Sequence, residues 1–456
     1  MYLRNRPLPI VLFVCLAALL GVSGCSLREG PPNILLITVD TLRPDHLGLY
    51  GYERPTSPNI DEFFEDTIVF EYAYATEANT TPSVVSFLSG TLPQENGVRL
   101  LCQKVPEDLT LISDRLSQAG YQTAGIVSNV VLTVECSDLD RHFDYYDDYV
   151  DDLATANVYE RIAGPTTNAA AEWAVTKYDR EQPYFLWVHY QDPHGPYSPP
   201  PDKPVDFTHE GKKRFAIGRV EPYQRVSGGD DALEYIDNYD EEIAYLDQEV
   251  GRLLALLEEK EMLDNTVVIF TSDHGESMME HEKWFTHGYH VYDEILRVPL
   301  MIRYPGRNRG ARVPKRVSLV DLAPTVLDLT GVELETPMRG QVLGRTVEER
   351  PVYGQGGLWR SMIYGDQKWF LYVPKESPRP VPRFFYDLNA DPGERARKHW
   401  IDSDLADDFV KMIASDPDPG GVPAEFEMGM MPTAPKVRPD VDEETLKKLR
   451  SLGYVN

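Results

Sequence analysis

Two acidic residues in the sequence lie at the ends of apolar runs. Asn33–Val39 leads into Asp40, and a second apolar run ends one residue before Asp273 and His274. Two carboxylates and an imidazole form a mixed oxygen and nitrogen donor set, which suits Zn²⁺ or Mn²⁺ better than Ca²⁺. One aspartate after one strand could simply cap a helix. Two such strand ends, one with an adjacent histidine, indicate a metal site.

The histidines are unevenly distributed, which also favours a site over scattered structural roles. Six of the ten lie in two stretches of the chain, namely His189 and His194, then His274, His281, His287 and His290. Clusters of histidine in loops after strands are typical of catalytic or metal sites. His189 alternates with apolar residues inside a predicted strand. We therefore interpret it as a core residue or a support for the ligands, not as a ligand.

The elements that must position these residues follow a repeating strand and helix pattern. Continuous apolar runs predict buried strands at Asn33–Val39, Tyr121–Ser128, Tyr184–His189 and Thr266–Thr271. Helices are predicted at Ser57–Glu65, near Pro82, at Leu109–Gln118 and from Ile236, where apolar residues recur every three or four positions. This order predicts an α/β fold with a mainly parallel sheet flanked by helices. Ligands of such sheets bind at the carboxyl ends of the strands.

Three further segments lie outside this repeating strand and helix pattern. Gly195–Asp231 is rich in Pro, Gly and charge, which predicts a loop at the rim of the site. Val352–Asp391 contains short strand-like runs, which suggest a small antiparallel C-terminal subdomain. Ser415–Asp442 is another irregular stretch, followed by a predicted terminal helix at Glu443–Leu452.

Composition limits the class of partner. The 456 residues carry a formal net charge of −28 and are 42% hydrophobic, as expected for a globular protein with a large core. A surface this acidic repels nucleic-acid backbones, so we expect no nucleic-acid partner. An anionic substrate would have to be held by a metal ion or by a few well-placed cations.

The N-terminus predicts export and lipid attachment. A basic start is followed by the apolar run Leu8–Leu20 and by Val22–Cys25, which resembles the lipobox of bacterial lipoproteins. Residues 1–24 would then be the signal peptide and Cys25 the lipidated first residue of the mature chain. Ser26 favours the periplasmic face of the outer membrane within the cell envelope. The alternatives are an ordinary signal peptide and an uncleaved anchor helix.

Two cysteines remain once Cys15 leaves with the signal peptide and Cys25 is lipidated. Cys102 and Cys136 form an even pair in an oxidising compartment, and we predict a disulfide between them. The alternative is two buried thiols.

Beyond these features, the sequence resembles the sulfatase branch of the alkaline phosphatase superfamily. The resemblance rests on motifs that occur in family order over nearly the whole mature chain: Asp40–His46, Thr80–Gly90, Asp192–Tyr197, Thr271–Glu276, Leu296–Leu300 with Tyr304–Gly306, Asp321–Thr325, and Tyr386–Leu388 with Asp391-Pro392. It implies an alkaline-phosphatase-like fold, with a catalytic domain at 25–345 and a C-terminal subdomain and tail at 346–456.

The sequence departs from that family at the positions that carry its chemistry. Sulfatases have Cys or Ser, oxidised to formylglycine, where this chain has Thr80, and Arg where it has Val84. Threonine cannot become that aldehyde. The second Asp of the family is Thr41, and its Asp-Asn pair is Asp273-His274. The Lys and His expected after the third strand are replaced in Ser128-Asn129-Val130.

At these positions the chain is more similar to phosphoryl-transfer members of the superfamily than to sulfatases. Phosphonate monoester hydrolases share the Asp-His pair, and nucleotide phosphodiesterases and phosphoethanolamine transferases use a metal-bound Thr. The resemblance implies Thr80 as nucleophile, with Asp40, Thr80, Asp273 and His274 as metal ligands. Asn129 would contact substrate oxygens, and His194 and His287 would contact them or protonate the leaving group. Thr81 and Ser83 are rival nucleophiles. A two-metal version with Asp192, His194 and His287 as a second ligand set is an alternative.

We therefore expect an exported metal-dependent hydrolase or transferase acting on phosphate or phosphonate esters, with envelope lipid or glycan as the substrate class. One alternative is a sulfatase that acts without formylglycine. Another is a lipoprotein that retains the fold as a binding module, although such a module would have no physical need for a complete set of ligands and a nucleophile.

Replacing Cys25 with alanine is expected to release the protein from the membrane fraction and to block lipoprotein processing, because the lipid attaches to that thiol. Membrane partitioning is measured by fractionation, with Cys15→Ala as the matched control. Unchanged partitioning of Cys25→Ala would instead indicate an uncleaved anchor helix.

Overall fold

The structure is a computed structural model that describes residues 30–150, 161–221, 224–226, 229–306, 310–334, 338–344, 349–374 and 379–416. From Pro31 onward the described residues form one compact unit. The predicted signal peptide, the lipidation site Cys25 and the terminal helix Glu443–Leu452 lie outside the described residues. So does the predicted domain boundary at 345/346.

A large mixed sheet forms the centre of the molecule. Its strands are β1 (Asn33–Val39), β2 (Ile68–Tyr74), β3 (Gln122–Val127), β4 (Tyr145–Asp147), β5 (Tyr184–Tyr190), β6 (Thr266–Ser272), β7 (Arg297–Arg303) and β8 (Ala311–Ser318). Their spatial order is β4-β3-β5-β1-β6-β7-β2-β8. All neighbouring pairs are parallel except those that β7 makes with β6 and β2. The predicted α/β class with a mainly parallel sheet is confirmed.

Both faces of this sheet are covered, which explains the continuous apolar sequences of its central strands. In β1, Ile34 and Leu36 join one hydrophobic core, and the alternating residues Leu35 and Ile37 join a second core on the other face. Every residue of β5 and β6 is buried.

Helices cover the two faces and fill the connections between strands. They are α1 (Pro58–Phe64), α2 (Thr80–Ser89), α3 (Pro93–Asn96), α4 (Ile112–Gln118), α5 (Val134–Ser137), α6 (Ala163–Glu172), α7 (Ala232–Glu259), α8 (Asp293–Leu296), α9 (Leu322–Thr330) and α10 (Asp404–Ala414). The longest, α7, buries Ile243, Leu246, Val250, Leu253 and Leu257, as its spacing of three and four predicts. Within the described residues, no helix has the length and apolar character that a membrane crossing requires.

A second, smaller sheet follows in the chain and is wholly antiparallel. Its strands are β9 (Val352–Gly356), β10 (Trp359–Tyr364), β11 (Gln367–Tyr372), β12 (Val381–Asp387) and β13 (Lys398–His399). It has its own small core against α10, formed by Met362, Leu371, Phe385 and Phe409 among others. The predicted antiparallel C-terminal element is confirmed.

Cys102 and Cys136 form a disulfide that joins positions 34 residues apart, and both residues are buried. The bridge ties the segment after α3 to α5, beside α2, where Thr81 Oγ1 accepts the backbone N–H of Cys102.

Replacing both cysteines with serine is expected to lower the free energy of unfolding by about 4 kcal/mol, because a bridge across this span restricts the unfolded chain. Urea denaturation with and without reductant measures the loss, with the reduced wild type as the matched control. Two alkylatable thiols in the native protein would contradict the disulfide.

Candidate functional site

The site is built on two carboxylates at the carboxyl ends of adjacent parallel strands. In the β1–β6 pair Val39 lies opposite Ser272, so Asp40 and Asp273 follow paired residues, and the backbone N–H of Asp273 donates to Val39 O at 3.2 Å. Both aspartates are fully buried. Asp273 Oδ1 accepts two backbone N–H groups, but among the described residues Asp273 Oδ2 and Asp40 Oδ1 have no hydrogen-bond partner.

Thr80 and His274 converge on these carboxylates. Thr80 begins α2, and its Oγ1 lies 3.4 Å from Asp40 Oδ2 and 3.3 Å from His274 Nε2. His274 Nε2 lies 3.8 Å from Asp40 Oδ1 and 3.6 Å from Asp273 Oδ2. The other ring nitrogen, Nδ1, donates to Gly275 O at 3.0 Å, which leaves the Nε2 lone pair facing the carboxylates.

The start of α2 differs from the prediction in one respect. Pro82 is the third residue of the helix, not the first. The free N–H groups of the first turn therefore belong to Thr80 and Thr81. The two rival nucleophiles are engaged elsewhere, because Thr81 Oγ1 donates to Val131 O and Ser83 Oγ donates to Asp273 O.

The charges and the burial of Asp40 and Asp273 favour a bound cation. Burial and the charge of Asp40 raise the pKa of Asp273 well above its usual value. Burial also acts to raise the pKa of Asp40, but His194, His189 and His274 outweigh it and lower that pKa. Among the described residues, no lysine or arginine forms an ion pair with either carboxylate. Two buried acids that each have an unpartnered oxygen and no lysine or arginine partner among the described residues fit a bound metal ion.

His189 is a candidate ligand that the sequence interpretation set aside. Its ligand atom lies with those of Asp40 and Asp273 in a buried group whose atoms are all within 4.8 Å of one another, and its Nε2 is 3.9 Å from Asp40 Oδ2. His189 Nδ1 lies 2.8 Å from Thr38 Oγ1, which accepts the Trp187 indole N–H. If Nδ1 donates to Thr38, Nε2 presents a lone pair to the carboxylates. The register of β5 with β1, which pairs His189 with Thr38, brings this side chain to the carboxylates, and that register is set by the assembled sheet.

Asn129 lies at the site and makes contacts in two directions. Its Oδ1 accepts the N–H of Val131, which caps a short helical turn, and its Nδ2 donates to Asp40 Oδ2 at 2.5 Å. The side chain therefore acts as a cap and as a contact to a predicted ligand.

His194 and His287 flank the same space. The ring centroid of His287 lies 4.7 Å from that of His274 and 5.2 Å from that of His194. His194 Nδ1 lies 2.7 Å from Gly195 O. Burial lowers the pKa of His274 to about 3 and that of His287 to about 4, and it also lowers the pKa of His194. All three imidazoles are therefore neutral near pH 7 and can accept a proton or bind a cation.

The second ligand set of the two-metal alternative, with Asp192, His194 and His287, stays a prediction. Asp192 is hydrogen-bonded by its own backbone and by that of Ala163, the first residue of α6, and burial raises its pKa to about 7. Among the described residues, one group of three His, Cys, Asp or Glu has ligand atoms that all lie within 4.8 Å of one another, and it consists of Asp40, His189 and Asp273. Asp192, His194 and His287 do not form a second such group.

Two further buried residues, Val84 and Glu276, affect the charge of the site. Val84 is a residue of α2 and is fully buried in a hydrophobic core, so position 84 contributes no charge. Glu276, which sequence reasoning did not select, is fully buried, and its Oε2 faces His287 Nδ1 at 3.3 Å. Its only sequence signal is its place two residues after His274.

Comparison with known proteins agrees with this architecture. The sulfatase family model matches residues 32–332. An N-acetylglucosamine-6-O-sulfatase of Bacteroides thetaiotaomicron is 25% identical, over 85% of this chain and 86% of that protein.

Two solved structures share the fold. A protein bound to its substrate D-glucosamine-2-N,6-O-disulfate superposes with a TM-score of 0.68 at 19% identity, over 86% of this chain and 98% of that one. A phosphonate monoester hydrolase of Agrobacterium radiobacter gives a TM-score of 0.64 at 18% identity, over 80% and 91%. With the family model covering most of the described chain, the protein belongs to the sulfatase family, metal-dependent hydrolases of the alkaline phosphatase superfamily.

Proposed function

We propose that the protein hydrolyses or transfers phosphate or phosphonate esters, with Thr80 as the nucleophile. The observation that carries this proposal is the position of Thr80 Oγ1, 3.4 Å from Asp40 and 3.3 Å from His274, at the start of a helix. Thr80 occupies the position at which sulfatases carry a residue convertible to formylglycine. The arginine that supports the aldehyde hydrate is replaced by the buried Val84.

The residues that would hold the metal are Asp40, Asp273, His274 and Thr80, with His189 as a further candidate. Two carboxylates with one or two imidazoles favour Zn²⁺ or Mn²⁺ over Ca²⁺, which prefers oxygen ligands alone. When bound, the ion neutralises the two acids and lowers the pKa of the Thr80 hydroxyl, so that the oxygen is a competent nucleophile near neutral pH.

The remaining chemistry is assigned to side chains of this chain. Thr80 Oγ1 forms a bond to phosphorus while the bond to the leaving oxygen breaks, which gives a phospho-threonine. A neutral imidazole, that of His287 or His194, takes the proton of the Thr80 hydroxyl as this bond forms and gives it to the leaving oxygen. Water or an acceptor alcohol then bonds to phosphorus, the imidazole takes its proton, and Thr80 Oγ1 receives that proton on release. Asn129 and the backbone N–H groups at the start of α2 contact the non-bridging oxygens.

A phosphorus centre suits this machinery better than a sulfur centre. A formylglycine hydrate releases sulfate by breaking its own C–O bond, so no water has to attack a sulfated enzyme. Thr80 has one hydroxyl and lacks that route. Its intermediate must be cleaved at the central atom, which metal-assisted chemistry achieves at phosphorus.

A sulfatase that acts without formylglycine is the second candidate. It is favoured by the names of the curated relatives, among them an N-acetylglucosamine-6-O-sulfatase and an arylsulfatase of Clostridium perfringens. The same Thr80 would then attack sulfur.

The proposed location is the bacterial cell envelope, with the enzyme tethered by the lipid on Cys25. An envelope lipid or glycan that carries an anionic ester would then be within reach of the site. The net charge of −28 on the chain makes the metal and the site histidines the groups on which binding of such an anion depends.

Removing a metal ligand is expected to remove the metal. Asp273→Ala and His274→Ala should lose bound Mn²⁺ or Zn²⁺ and lower kcat by several orders of magnitude while the fold survives, because both residues lie beyond the end of β6. His189→Gln should lower Mn²⁺ affinity if His189 is a ligand. His142→Gln, which removes an imidazole paired with Asp114 away from the site, is the matched control.

Elemental analysis gives the metal content of each variant. The nitrogen hyperfine couplings of bound Mn²⁺ report how many imidazoles coordinate the ion. The ligand assignment is contradicted if exhaustively chelated enzyme stays active and both Asp273→Ala and His274→Ala turn over at the wild-type rate.

Paired nitrophenyl substrates distinguish the two candidate functions. We expect a higher kcat/KM on a phosphate diester or phosphonate ester than on the matching sulfate ester, with one Mn²⁺-loaded or Zn²⁺-loaded preparation. Thr80→Ala should abolish the activity, and Thr80→Ser should retain part of it. Thr81→Val is the control for a neighbouring hydroxyl outside the chemistry. A sulfate kcat/KM above that of every phosphorus ester, lost in Thr80→Ala, would establish the sulfatase instead.

A further inference from the structure

Glu276 brings three hydrogen-bond donors to one carboxylate oxygen. Its Oε2 lies 3.0 Å from the Tyr197 hydroxyl, 3.2 Å from the Gln224 amide nitrogen and 3.3 Å from His287 Nδ1. The side chain is fully buried, and among the described residues its Oε1 has no hydrogen-bond partner. A buried carboxylate in this setting accepts hydrogen bonds and fixes the groups that donate them.

The contact with Glu276 determines which nitrogen of His287 is available for proton transfer. Because Oε2 is an acceptor, Nδ1 of His287 carries the hydrogen, and Nε2 is the nitrogen left to exchange a proton. The ring lies 4.7 Å from the ring of His274, whose Nε2 is 3.3 Å from Thr80 Oγ1. The neighbouring imidazole of His194 is oriented by a backbone carbonyl instead, that of Gly195.

We propose that Glu276 is a positioning residue that orients His287 for proton transfer at the leaving oxygen. The proposal rests on the proposed function, since it assigns the proton transfer to His287 and its control to Glu276. In the first step Thr80 Oγ1 bonds to phosphorus, the proton of its hydroxyl passes to His287 Nε2, and His287 gives that proton to the leaving oxygen as the bond to it breaks. In the second step water bonds to phosphorus, His287 Nε2 takes a proton from the water, and Thr80 Oγ1 receives it on leaving. His287 is therefore neutral at the start and at the end of each turnover.

Glu276 Oε2 also accepts hydrogen bonds from the segment that is predicted to form the rim of the site. Tyr197 and Gln224 belong to the long segment between β5 and α7, so Glu276 anchors that segment and His287 together. Tyr197→Phe removes one donor from Oε2 and leaves the contact to His287 in place. It therefore separates anchoring of the segment from orientation of the imidazole.

The test compares leaving groups of different basicity. Glu276→Gln should lower kcat/KM about 100-fold for an unactivated phenyl or alkyl ester, the lower end of what a positioned acid contributes. The dinitrophenyl ester, whose leaving oxygen needs no proton, should fall less than threefold. His287→Gln should show the same pattern, and the double variant should be no worse than either single variant. Tyr197→Phe should change both esters by the same small factor.

Metal content and thermal unfolding are measured on every variant, and Glu276→Asp serves as the second variant if Glu276→Gln does not fold. The shorter carboxylate of Glu276→Asp withdraws from Nδ1 and should give the same leaving-group dependence. An equal fall on both esters, or a loss of metal in Glu276→Gln, overturns the proposal.

The failure of this proposal is distinguishable from failure of the proposed function. If the wild type turns over sulfate esters only, the proposed phosphoryl chemistry fails. The same comparison on phenyl and dinitrophenyl sulfates then still decides the role of Glu276.

Discussion

Two buried carboxylates that form no ion pair with a lysine or arginine of the described residues are the constraint on which the site depends. Asp40 and Asp273 follow residues that lie opposite one another in adjacent parallel strands, so the sheet itself forces the two acids together. Burying that charge without a partner would be costly. The surrounding histidines, the start of α2 and the unpartnered oxygens are all consistent with a cation between the acids. Metal binding and folding of this edge of the sheet are therefore thermodynamically linked.

Close packing of the backbone maintains this arrangement. After β6 the chain passes so near the segment before β7 that a Cβ on Gly275 would lie 2.3 Å from the carbonyl oxygen of Glu294. The Gly275 N–H donates to Ile295 O at 2.6 Å. Ser83, on α2, donates to the carbonyl of Asp273 itself. Thr80 and the two acids are therefore packed together, and a side chain on Gly275 would displace Asp273 and His274.

Local sequence patterns predicted the elements whose formation depends on residues close together in the chain. The central strands appear as apolar runs, and the first and last of those predicted strands end within one residue of the observed ends. What the sequence could not supply depends on partners distant in the chain. The antiparallel β7 has no sequence signal that sets its direction. The side of β5 on which His189 lies is fixed by its register with β1. Asp192 turns toward α6, which only the assembled fold brings near it.

The proposed chemistry of the site rests on residues at which this chain differs from the pattern of its family. Likeness to solved structures at 18% or 19% identity establishes the fold and leaves the reaction open. An arginine at position 84 would supply a fixed positive charge that cannot give up its proton. A neutral imidazole carries no fixed charge, but it can take up and release protons. The proposed two-step reaction through Thr80 needs such groups, because a proton must reach the leaving oxygen in one step and leave the attacking water in the next. In that proposal a bound cation would supply the positive charge that Val84 lacks, and His194 and His287 would move the protons.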